Sequence, residues 1–404
     1  MFHDALVPFA ERRIIKMKVL FIAAGGSYYG ANRSMSALIV DLRKRYDVDV
    51  RVAVVGQKFW KVSLENSPFV IALQENNIPV YCLPYFQWRD IPNHNDGFIS
   101  YVKLHVLNRI NLIKIMRVIE DFEPDIIHSN NTAFDLGKRI ADYKKVPHIF
   151  HLREYGDLDY GMVFKVKHSY VNKVFNDSTC IAISESIKKY YQHSFGISDI
   201  KCIYNGIDVS KYRAKNQNKK DEIVHFCCVG VISESKNQIE AIRSAKVLLE
   251  SGVYNFQLHF YGDGGEYEHD LKRFVNENEL AEKVVFHGYS SNIEKELLNM
   301  DVGLMLSKNE AFGRVTIEYM LSGMPVIASK GGASAELIQE GQHGYLYDLG
   351  NETELAKCMK CFCYSRKQIE IMGKLAYAHA VNNFSMRKNT DAIYKVYMEL
   401  YNDR

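Results

Sequence analysis

The regular alternation of apolar runs with amphipathic segments restricts the fold of this chain more than any other feature of its sequence. An apolar run at residues 19–23 precedes a glycine-rich loop, and residues 33–45 then carry apolar side chains at helical spacing. Strand-like and helical segments continue to alternate, and a second set of both extends from residue 223 to about residue 383. Because strands that alternate with helices form parallel, doubly wound sheets, we predict an α/β protein with two such sheets.

The length and composition of the chain agree with two domains. The chain has 404 residues, whereas a single hydrophobic core stops growing at about 250 to 300 residues. Apolar residues make up 47% of the sequence, which is enough for two cores. The net charge of +3 and the lack of a dense basic run argue against nucleic acid as a partner. No apolar run approaches the ~18 to 20 residues of a membrane span.

The eight cysteines indicate a reducing compartment rather than disulfides or a metal site. Five of them lie in apolar, strand-like surroundings, where a reduced cysteine packs as a small hydrophobic side chain. The cluster of Cys358, Cys361 and Cys363 lacks a second ligand pair at zinc-finger spacing. The first sixteen residues lack the apolar core of a secretory signal. We therefore expect a cytoplasmic protein without a zinc site.

One stretch, residues 307–344, carries most of the functional information. Glu310 and Glu318 lie eight residues apart on either side of Gly313, where a helix is expected to begin. The first N–H groups of a helix are unpaired and bear partial positive charge, so the backbone of residues 313–316 can cradle a phosphate. The two carboxylates can then bind hydroxyl groups at the two ends of a sugar nucleotide.

The two glutamates also have an ordinary explanation. Pairs at this spacing occur by chance, and a glutamate early in a helix can simply favour the helix dipole. The next segment of the chain supports the site, because residues 324–328 have the pattern of a buried parallel strand that ends at Gly331 and Gly332. Ligands of open α/β sheets bind at the carboxyl ends of the strands, and this glycine turn would lie at such an end.

This stretch resembles the signature of family 4 glycosyltransferases, which are retaining enzymes of the two-domain GT-B fold. The resemblance is specific in the C-terminal half and looser in the N-terminal half. Its further motifs are Asn205, Gly206, Ile207 and Asp208, residues 230–236 with Asn237 and Gln238, residues 261–264, residues 285–288 and residues 301–307. The resemblance implies two Rossmann-like domains that face a cleft. The expected division is an N-terminal extension at 1–16, an acceptor domain at 17–204, a donor domain at 205–384, and a C-terminal helix at 385–404 that packs back toward the N-terminal domain.

The resemblance also implies roles for individual residues. Glu310 would bind the transferred sugar and Glu318 the ribose, while His151 and Lys236 would join Glu310 in the catalytic centre. The other donor-binding residues would be Gly30, Gly262, Gly288, Phe312, Gly313, Arg314, Val315 and Thr316. Neither a metal nor another cofactor is expected, because the helix dipole, Lys236 and nearby N–H groups can neutralise the leaving diphosphate.

Three of these assignments have ordinary alternatives. His151 competes with His128 and His148, and a lone histidine near a sheet is more often structural. Lys236 can be an exposed lysine near a helix start. The loop that contains Gly30 does not match the dinucleotide-binding pattern and can equally be a tight strand-to-helix turn.

One departure from the family concerns the phosphates of the donor. The family commonly has an arginine directly after the glycine that stands here as Gly230, whereas this chain has Val231. We hypothesise that Arg314 supplies the missing positive charge from the loop at the helix start.

The function implied by the resemblance is transfer of a hexose from a UDP- or GDP-linked sugar to a glycan or polyprenyl-linked glycan acceptor, in bacterial surface polysaccharide synthesis. A nucleotide-sugar epimerase and a non-catalytic nucleotide-sugar-binding protein are the alternatives. The segment at residues 101–117 carries basic residues among apolar ones, namely Lys103, Arg109, Lys114 and Arg117. Such a segment fits peripheral contact at the inner face of the cytoplasmic membrane, or else a core-facing helix with solvated lysines.

Overall fold

The computed structural model of the protein describes residues 16–25, 28, 30–56, 64–92, 102–214 and 222–403. The predicted extension at residues 1–16 therefore lies outside the described residues except for Lys16, and Tyr101 of the predicted basic segment lies outside them too.

The described part of the N-terminal half alternates strands and helices from its first element. The strands are β1 Lys18–Ala24, β2 Asp49–Gly56, β3 Val80–Pro84, β4 Arg89–Asp90, β5 Ile126–Ser129, β6 His148–Leu152, β7 Val163–Phe164, β8 Thr179–Ala182 and β9 Ile200–Cys202. The helices are α1 Gly30–Tyr46, α2 Pro68–Glu75, α3 Asn108–Val118, α4 Leu136–Lys144, α5 Asp157–Tyr160, α6 His168–Asn176 and α7 Glu185–Phe195. A π-helical turn, Lys103–Leu107, leads directly into α3.

Seven of these strands form one parallel sheet in the order β3-β2-β1-β5-β6-β8-β9, and β4 pairs with β7 in a separate antiparallel ribbon. Strand β1 is apolar at every position from Val19 to Ala23 because both of its faces are covered. Val19 and Phe21 pack with α1 on one face, while Leu20 and Ile22 pack with α3 and α4 on the other. The strand order reverses between β1 and β5, and loops beyond their carboxyl ends therefore diverge and leave a crevice.

The C-terminal half repeats this plan with a smaller sheet. Its strands are β10 Val224–Val229, β11 Phe256–Tyr261, β12 Val284–Gly288, β13 Val302–Met305, β14 Val326–Ser329 and β15 Gly344–Tyr347. Its helices are α8 Gln238–Glu250, α9 Gly265–Glu277, α10 Ile293–Glu296, α11 Arg314–Leu321, α12 Ser334–Leu337, α13 Glu352–Tyr364, α14 Arg366–Phe384 and α15 Met386–Asn402. The parallel order is β12-β11-β10-β13-β14-β15, with the reversal between β10 and β13. The prediction of an α/β protein with two parallel sheets is confirmed.

Two chain crossings lie side by side between the halves. The Ile207 N–H donates to Phe384 O at 2.8 Å, and the Met386 N–H donates to Ile207 O at 3.0 Å. Helix α15 then lies against the N-terminal sheet, where Ile393, Val396 and Tyr397 share a core with β1 and α1. The last helix of the chain therefore completes the first domain rather than the second.

The described helices include none that combines the length and the apolar character needed to cross a bilayer. One continuous helical segment nevertheless exposes several apolar side chains close together. The exposed apolar residues of the segment formed by the π-helical turn and α3 are Val106, Leu107, Ile110, Ile113 and Val118, each between 36% and 57% exposed. The opposite side of the segment packs inward through Leu104 and Ile115. This helix therefore has an apolar face on both sides.

The hydroxyl of Tyr397 is buried and bonds to His128 Nδ1 at 2.6 Å, which joins α15 to the N-terminal sheet. We expect Tyr397→Phe to lower the free energy of unfolding by about 1–3 kcal/mol, because it leaves a buried imidazole nitrogen without a partner. Urea unfolding followed by circular dichroism measures this change. The matched control is Tyr394→Phe, since the half-buried Tyr394 stacks on Tyr46 without using its hydroxyl within the described residues. Equal unfolding midpoints for the two variants would contradict the expectation.

Candidate functional site

Glu310 and Lys236 form an ion pair between the two loops at the switch point of the C-terminal sheet. Glu310 lies between β13 and α11, and Lys236 lies between β10 and α8. Lys236 Nζ donates to Glu310 Oε2 at 2.9 Å, while the Gly313 N–H donates to Glu310 Oε1 at 3.0 Å. Neighbouring strands thus bring these two predicted residues together, 74 positions apart in sequence.

The pair is held in its charged form. Burial would raise the pKa of Glu310, but the charge and hydrogen bond of Lys236, with the Gly313 N–H, outweigh burial and lower that pKa below its ordinary value. Burial likewise would lower the pKa of Lys236, and Glu310 raises it above its ordinary value. Lys236 is 39% exposed at its side chain and Glu310 14%, so the cation is the more accessible partner.

The predicted glycine turn after β14 supports the backbone of Glu310. The Ala333 N–H donates to Glu310 O at 2.7 Å. Gly332 has a φ of +59°, and a Cβ built there would lie 2.2 Å from Glu310 O and 2.6 Å from Glu310 N. Only glycine fits so close to another backbone. The turn therefore fixes the position of the Glu310 backbone relative to the end of β14.

Glu318 is buried between positive side chains. Arg314 Nε donates to Glu318 Oε1 at 3.0 Å, and Arg33 Nη1 of α1 lies 4.0 Å from the same oxygen. Arg314 also reaches the other domain, since its Nη1 donates to Ser34 Oγ at 3.4 Å. Burial, followed by the charge of Glu318, raises the pKa of Tyr212 beside this group. Arg314 is thus shared between Glu318 and α1, and its predicted role toward phosphate stays a prediction.

The start of α11 contains the other predicted donor-binding residues of this loop. Val315 and Thr316 follow Arg314 in its first turn, and the Thr316 side chain is buried with its Oγ1 unpaired among the described residues. Phe312 is also buried, with its ring centroid 6.2 Å from those of Tyr204 and Phe384. The Phe312 ring therefore packs in the core, which leaves only its backbone for a ligand.

Glycines end three adjacent strands of the C-terminal sheet. The Gly262 N–H donates to Gly288 O at 2.8 Å, and a Cβ on Gly262 would lie 2.0 Å from Gly230 O. Predicted residues Gly262 and Gly288 therefore lie together at the carboxyl ends of β11 and β12. Gly30 begins α1 in the N-terminal half, and a side chain built there would meet nothing within 4 Å.

His151 belongs to a buried network at the end of β6. The His128 and His151 rings bond through Nε2 and Nδ1 at 3.1 Å, and Arg153 Nη2 lies 3.3 Å from the same Nδ1. Because arginine only donates, His151 Nδ1 accepts and its proton resides on Nε2, which has no partner among the described residues. Burial, then Arg153 and His128, lowers the pKa of His151 well below its ordinary value. His151 is fully buried and neutral, and its catalytic role stays a prediction.

Sequence reasoning missed two residues. Arg153 directly follows β6 and is buried, with Nε donating to Asn130 Oδ1 at 2.7 Å and Nη1 to Asn205 Oδ1 at 2.6 Å. Its position after a predicted strand was the available signal. Glu336 of α12 accepts the N–H groups of Glu185 and Ser186 at 2.7 and 3.0 Å, at the start of α7. No local pattern signals that contact, since it joins residues about 150 positions apart.

Within the described ranges, no group of three or more His, Cys, Asp or Glu side chains is arranged to hold a metal ion.

The contact between the glycine turn and Glu310 can be tested with a matched pair of alanine variants. Gly341 has a φ of +76° and open space around its Cβ position, so Gly341→Ala carries only the backbone strain of about 1–2 kcal/mol. We expect Gly332→Ala to lower the free energy of unfolding by about 1–3 kcal/mol more than that, because its Cβ overlaps Glu310. Thermal or urea unfolding compares the two, and equal losses would exclude the proposed steric role.

Two family profiles match adjacent parts of the chain. The profile described as Glycosyltransferase Family 4 matches residues 29–211, and that described as Glycosyl transferases group 1 matches residues 208–397. Among curated relatives, N-acetyl-alpha-D-glucosaminyl L-malate synthase of Bacillus anthracis is 27% identical over 51% of this chain and 55% of that protein. The lipopolysaccharide core biosynthesis glycosyltransferase LpsE of Rhizobium meliloti is 25% identical over 35% of this chain and 40% of that protein. The chain thus spans about half the length, or less, of these relatives.

Solved structures match over nearly the whole chain. The Anabaena protein Alr3699/HepE in complex with UDP is 20% identical, covers 95% of this chain and 100% of its own, and gives a TM-score of 0.76. The same protein in complex with UDP-glucose gives a TM-score of 0.72 at the same identity and coverage. The two adjoining family profiles together extend over residues 29–397, and the fold of the solved Anabaena structure covers 95% of this chain. The chain therefore belongs to glycosyltransferase family 4 of the glycosyl transferases group 1 and adopts the GT-B fold.

Proposed function

We propose that the protein transfers a hexose from a UDP- or GDP-linked sugar to a glycan or lipid-linked glycan acceptor, with retention of the anomeric configuration and without a metal. The observation that carries this proposal is the ion pair of Lys236 and Glu310 beside the start of α11. A partly exposed cation, a helix start and a mostly buried carboxylate meet there at the carboxyl edge of a parallel sheet.

The donor's parts match this arrangement chemically. Diphosphate oxygens suit the N–H groups at the start of α11 and the ammonium of Lys236. A sugar hydroxyl suits Glu310, since a carboxylate accepts the hydroxyl proton. Glu318 lies one turn into α11 beside Arg314 and Arg33, where it can accept from a ribose hydroxyl. A nucleoside base then lies toward Gly262 and Gly288. The Anabaena protein's complexes with UDP and UDP-glucose favour uridine among the two bases.

The proposed reaction needs stabilisation mainly at the leaving group. The bond from the anomeric carbon to the diphosphate oxygen breaks, and the oxygen of an acceptor hydroxyl forms the new bond on the same face. The proton of that hydroxyl passes to the departing diphosphate. Negative charge develops on the diphosphate. Fixed donors aimed at that charge lower the barrier, and the α11 N–H groups with Lys236 are such donors.

The class of acceptor is proposed from the description of a relative. LpsE acts, by its description, in lipopolysaccharide core biosynthesis, and an acceptor of surface-polysaccharide type is proposed here on that basis.

The segment of Lys103–Leu107 and α3 exposes five apolar side chains next to exposed Arg109, Lys114 and Arg117. An apolar face with interspersed cations fits anionic lipid, and we propose that this segment contacts the inner face of the cytoplasmic membrane.

Nucleotide release from a panel of UDP- and GDP-sugars tests the transferase proposal. We expect release that depends on an added glycan acceptor, and we expect Glu310→Gln to lower kcat/KM about 10²-fold or more through the loss of a charged contact in the site. Glu340→Gln, an exposed glutamate on the same half, is the control and should behave as wild type. Conversion of the donor sugar without release would identify an epimerase. Protection against thermal unfolding without any turnover would identify a binding protein.

Sedimentation with lipid vesicles tests the membrane proposal. We expect the wild-type protein to sediment with vesicles that contain phosphatidylglycerol at low salt, and less at high salt, because the attraction of the basic residues is screened. The double variant Ile110→Ser and Ile113→Ser should lose this binding. The control is Ile71→Ser on α2, which removes an isoleucine of similar exposure elsewhere on the same domain. Failure of the wild type to sediment, or equal sedimentation of the double variant, would remove the proposal.

A further inference from the structure

Arg153 is a buried cation whose hydrogen-bond partners, in the described structure, are all neutral. Its Nε and Nη1 donate to the side-chain oxygens of Asn130 and Asn205, and its Nη2 donates to the imidazole of His151. These partners fix the orientation of the guanidinium without compensating its charge. The carboxylate of Glu154 favours the charged guanidinium but forms no ion pair with it among the described residues. A buried charge without an ion-pair partner is costly, so a protein that keeps one gains from an anion that binds there.

The position of Arg153 connects it to the cleft between the domains. It is the first residue after β6, at the carboxyl edge of the N-terminal sheet. Asn130 directly follows β5 at the switch point, and its Nδ2 donates to Ala31 O at the start of α1 at 3.3 Å. Asn205 lies at the crossing between the domains. The guanidinium therefore stands where the sheet edge, the α1 start and the interdomain crossing meet.

A second arginine approaches from the other domain. Burial, with a smaller contribution from the positive charge of Arg314, lowers the pKa of Arg153 to about 9, even though Glu154 and Tyr397 act to raise it. Two guanidinium groups from opposite domains thus repel each other. Arg314 has Glu318 as its carboxylate partner at 3.0 Å, whereas no ion pair of the described residues includes Arg153. An anion between the domains would relieve this repulsion.

The hydrogen-bond count leaves Arg153 able to bind such an anion. A guanidinium has five N–H groups, of which the bonds to Asn130, Asn205 and His151 use three. One N–H remains on each of Nη1 and Nη2. Two such N–H groups match the spacing of two oxygens of a phosphate in a bidentate contact.

We propose that Arg153 binds the diphosphate of the nucleotide-sugar donor and so supplies, from the N-terminal domain, the cation that Val231 does not supply from the C-terminal domain. The inference rests on the proposed function. Val231 is exposed and carries no charge, and Arg314 is already paired with Glu318. His151 is then a positioning residue, because its Nδ1 holds one N–H of Arg153.

Affinities for a nucleoside diphosphate and for the corresponding nucleoside separate a phosphate contact from a structural role. Titration calorimetry with UDP and GDP, and competition by uridine or guanosine, give the two values. We expect Arg153→Gln to weaken binding of the diphosphate about 10- to 100-fold, as for loss of a charged hydrogen bond, and to change nucleoside binding less than about twofold. Arg153→Lys keeps the charge without the fork and should lie between wild type and Arg153→Gln.

A second variant keeps Arg153 but gives its guanidinium a carboxylate partner. Asn205→Asp places a carboxylate against Arg153 Nη1 without changing the size of the side chain. It should therefore weaken binding of the diphosphate as much as Arg153→Gln does, while the thermal unfolding temperature stays unchanged or rises. This variant decides the question if Arg153→Gln does not fold. Arg139→Gln is the control, because Arg139 of α4 is ion-paired to Asp135 and the substitution should leave both affinities unchanged.

The outcomes separate the two proposals. Wild-type binding of UDP or GDP with unchanged affinity in Arg153→Gln and Asn205→Asp would overturn the Arg153 inference alone. Equal losses for the diphosphate and the nucleoside would also overturn it, since they indicate a distorted site rather than a lost phosphate contact. A wild-type protein that binds neither nucleotide would remove the proposed function together with this inference.

Discussion

The carboxylate of Glu336 holds the two domains in one arrangement, and the geometry of the cleft depends on it. Glu336 accepts two N–H groups at the start of α7 and the Tyr204 hydroxyl, so one side chain of the second domain occupies a helix start of the first. Helix starts favour negative charge, which makes this contact stronger than a neutral hydrogen bond. Beside it, Ser184 Oγ donates to Ala311 O at 2.6 Å, one residue after Glu310. The same helix start therefore positions the Glu310 loop against the first domain.

The C-terminal helix connects this arrangement to the interior of the first domain. Helix α15 follows the second crossing and brings the Tyr397 hydroxyl to His128, which bonds to His151, which in turn accepts from Arg153. Arginine can only donate, so the chain of bonds runs in one direction: Tyr397 donates to His128, His128 donates to His151, and both histidines are neutral. A residue near the end of the sequence thus orients a guanidinium at the edge of the cleft, and the packing of α15 bears on the site as well as on stability.

Some of this could be predicted from the sequence, and the reasons for success and failure are physical. Burial on both faces makes the parallel strands continuous apolar runs, so the two sheets follow from local pattern. The proximity of Glu310 and Lys236 also follows, because each lies just beyond one of two strands that are neighbours in the sheet. The network of His128, His151 and Arg153 does not follow, since a strand's alternation does not fix the contacts of the side chains that come after the strand ends. The Glu336 contact and the exposed face of α3 depend on how whole domains and helices pack, which no short window of sequence contains. Val231 remains the departure from the family pattern that the sequence alone could identify but not resolve.

The charges that the structure brings together constrain the ligand. Lys236 pairs with Glu310, and Arg314 and Arg33 lie beside Glu318. Arg153 interacts electrostatically with Arg314 and with the carboxylate of Glu154. The half-exposed Arg33 is screened by solvent and counts for less than the others. These cations match a diphosphate better than they match a neutral sugar or a nucleoside. The phosphates carry the charge of the donor, so the sugar contributes little to the electrostatic attraction. Hydrogen bonds near Glu310 must then distinguish one sugar from another. Those bonds involve a carboxylate already shared by Lys236 and Gly313, so a hydroxyl binds Glu310 only where its geometry leaves both contacts in place.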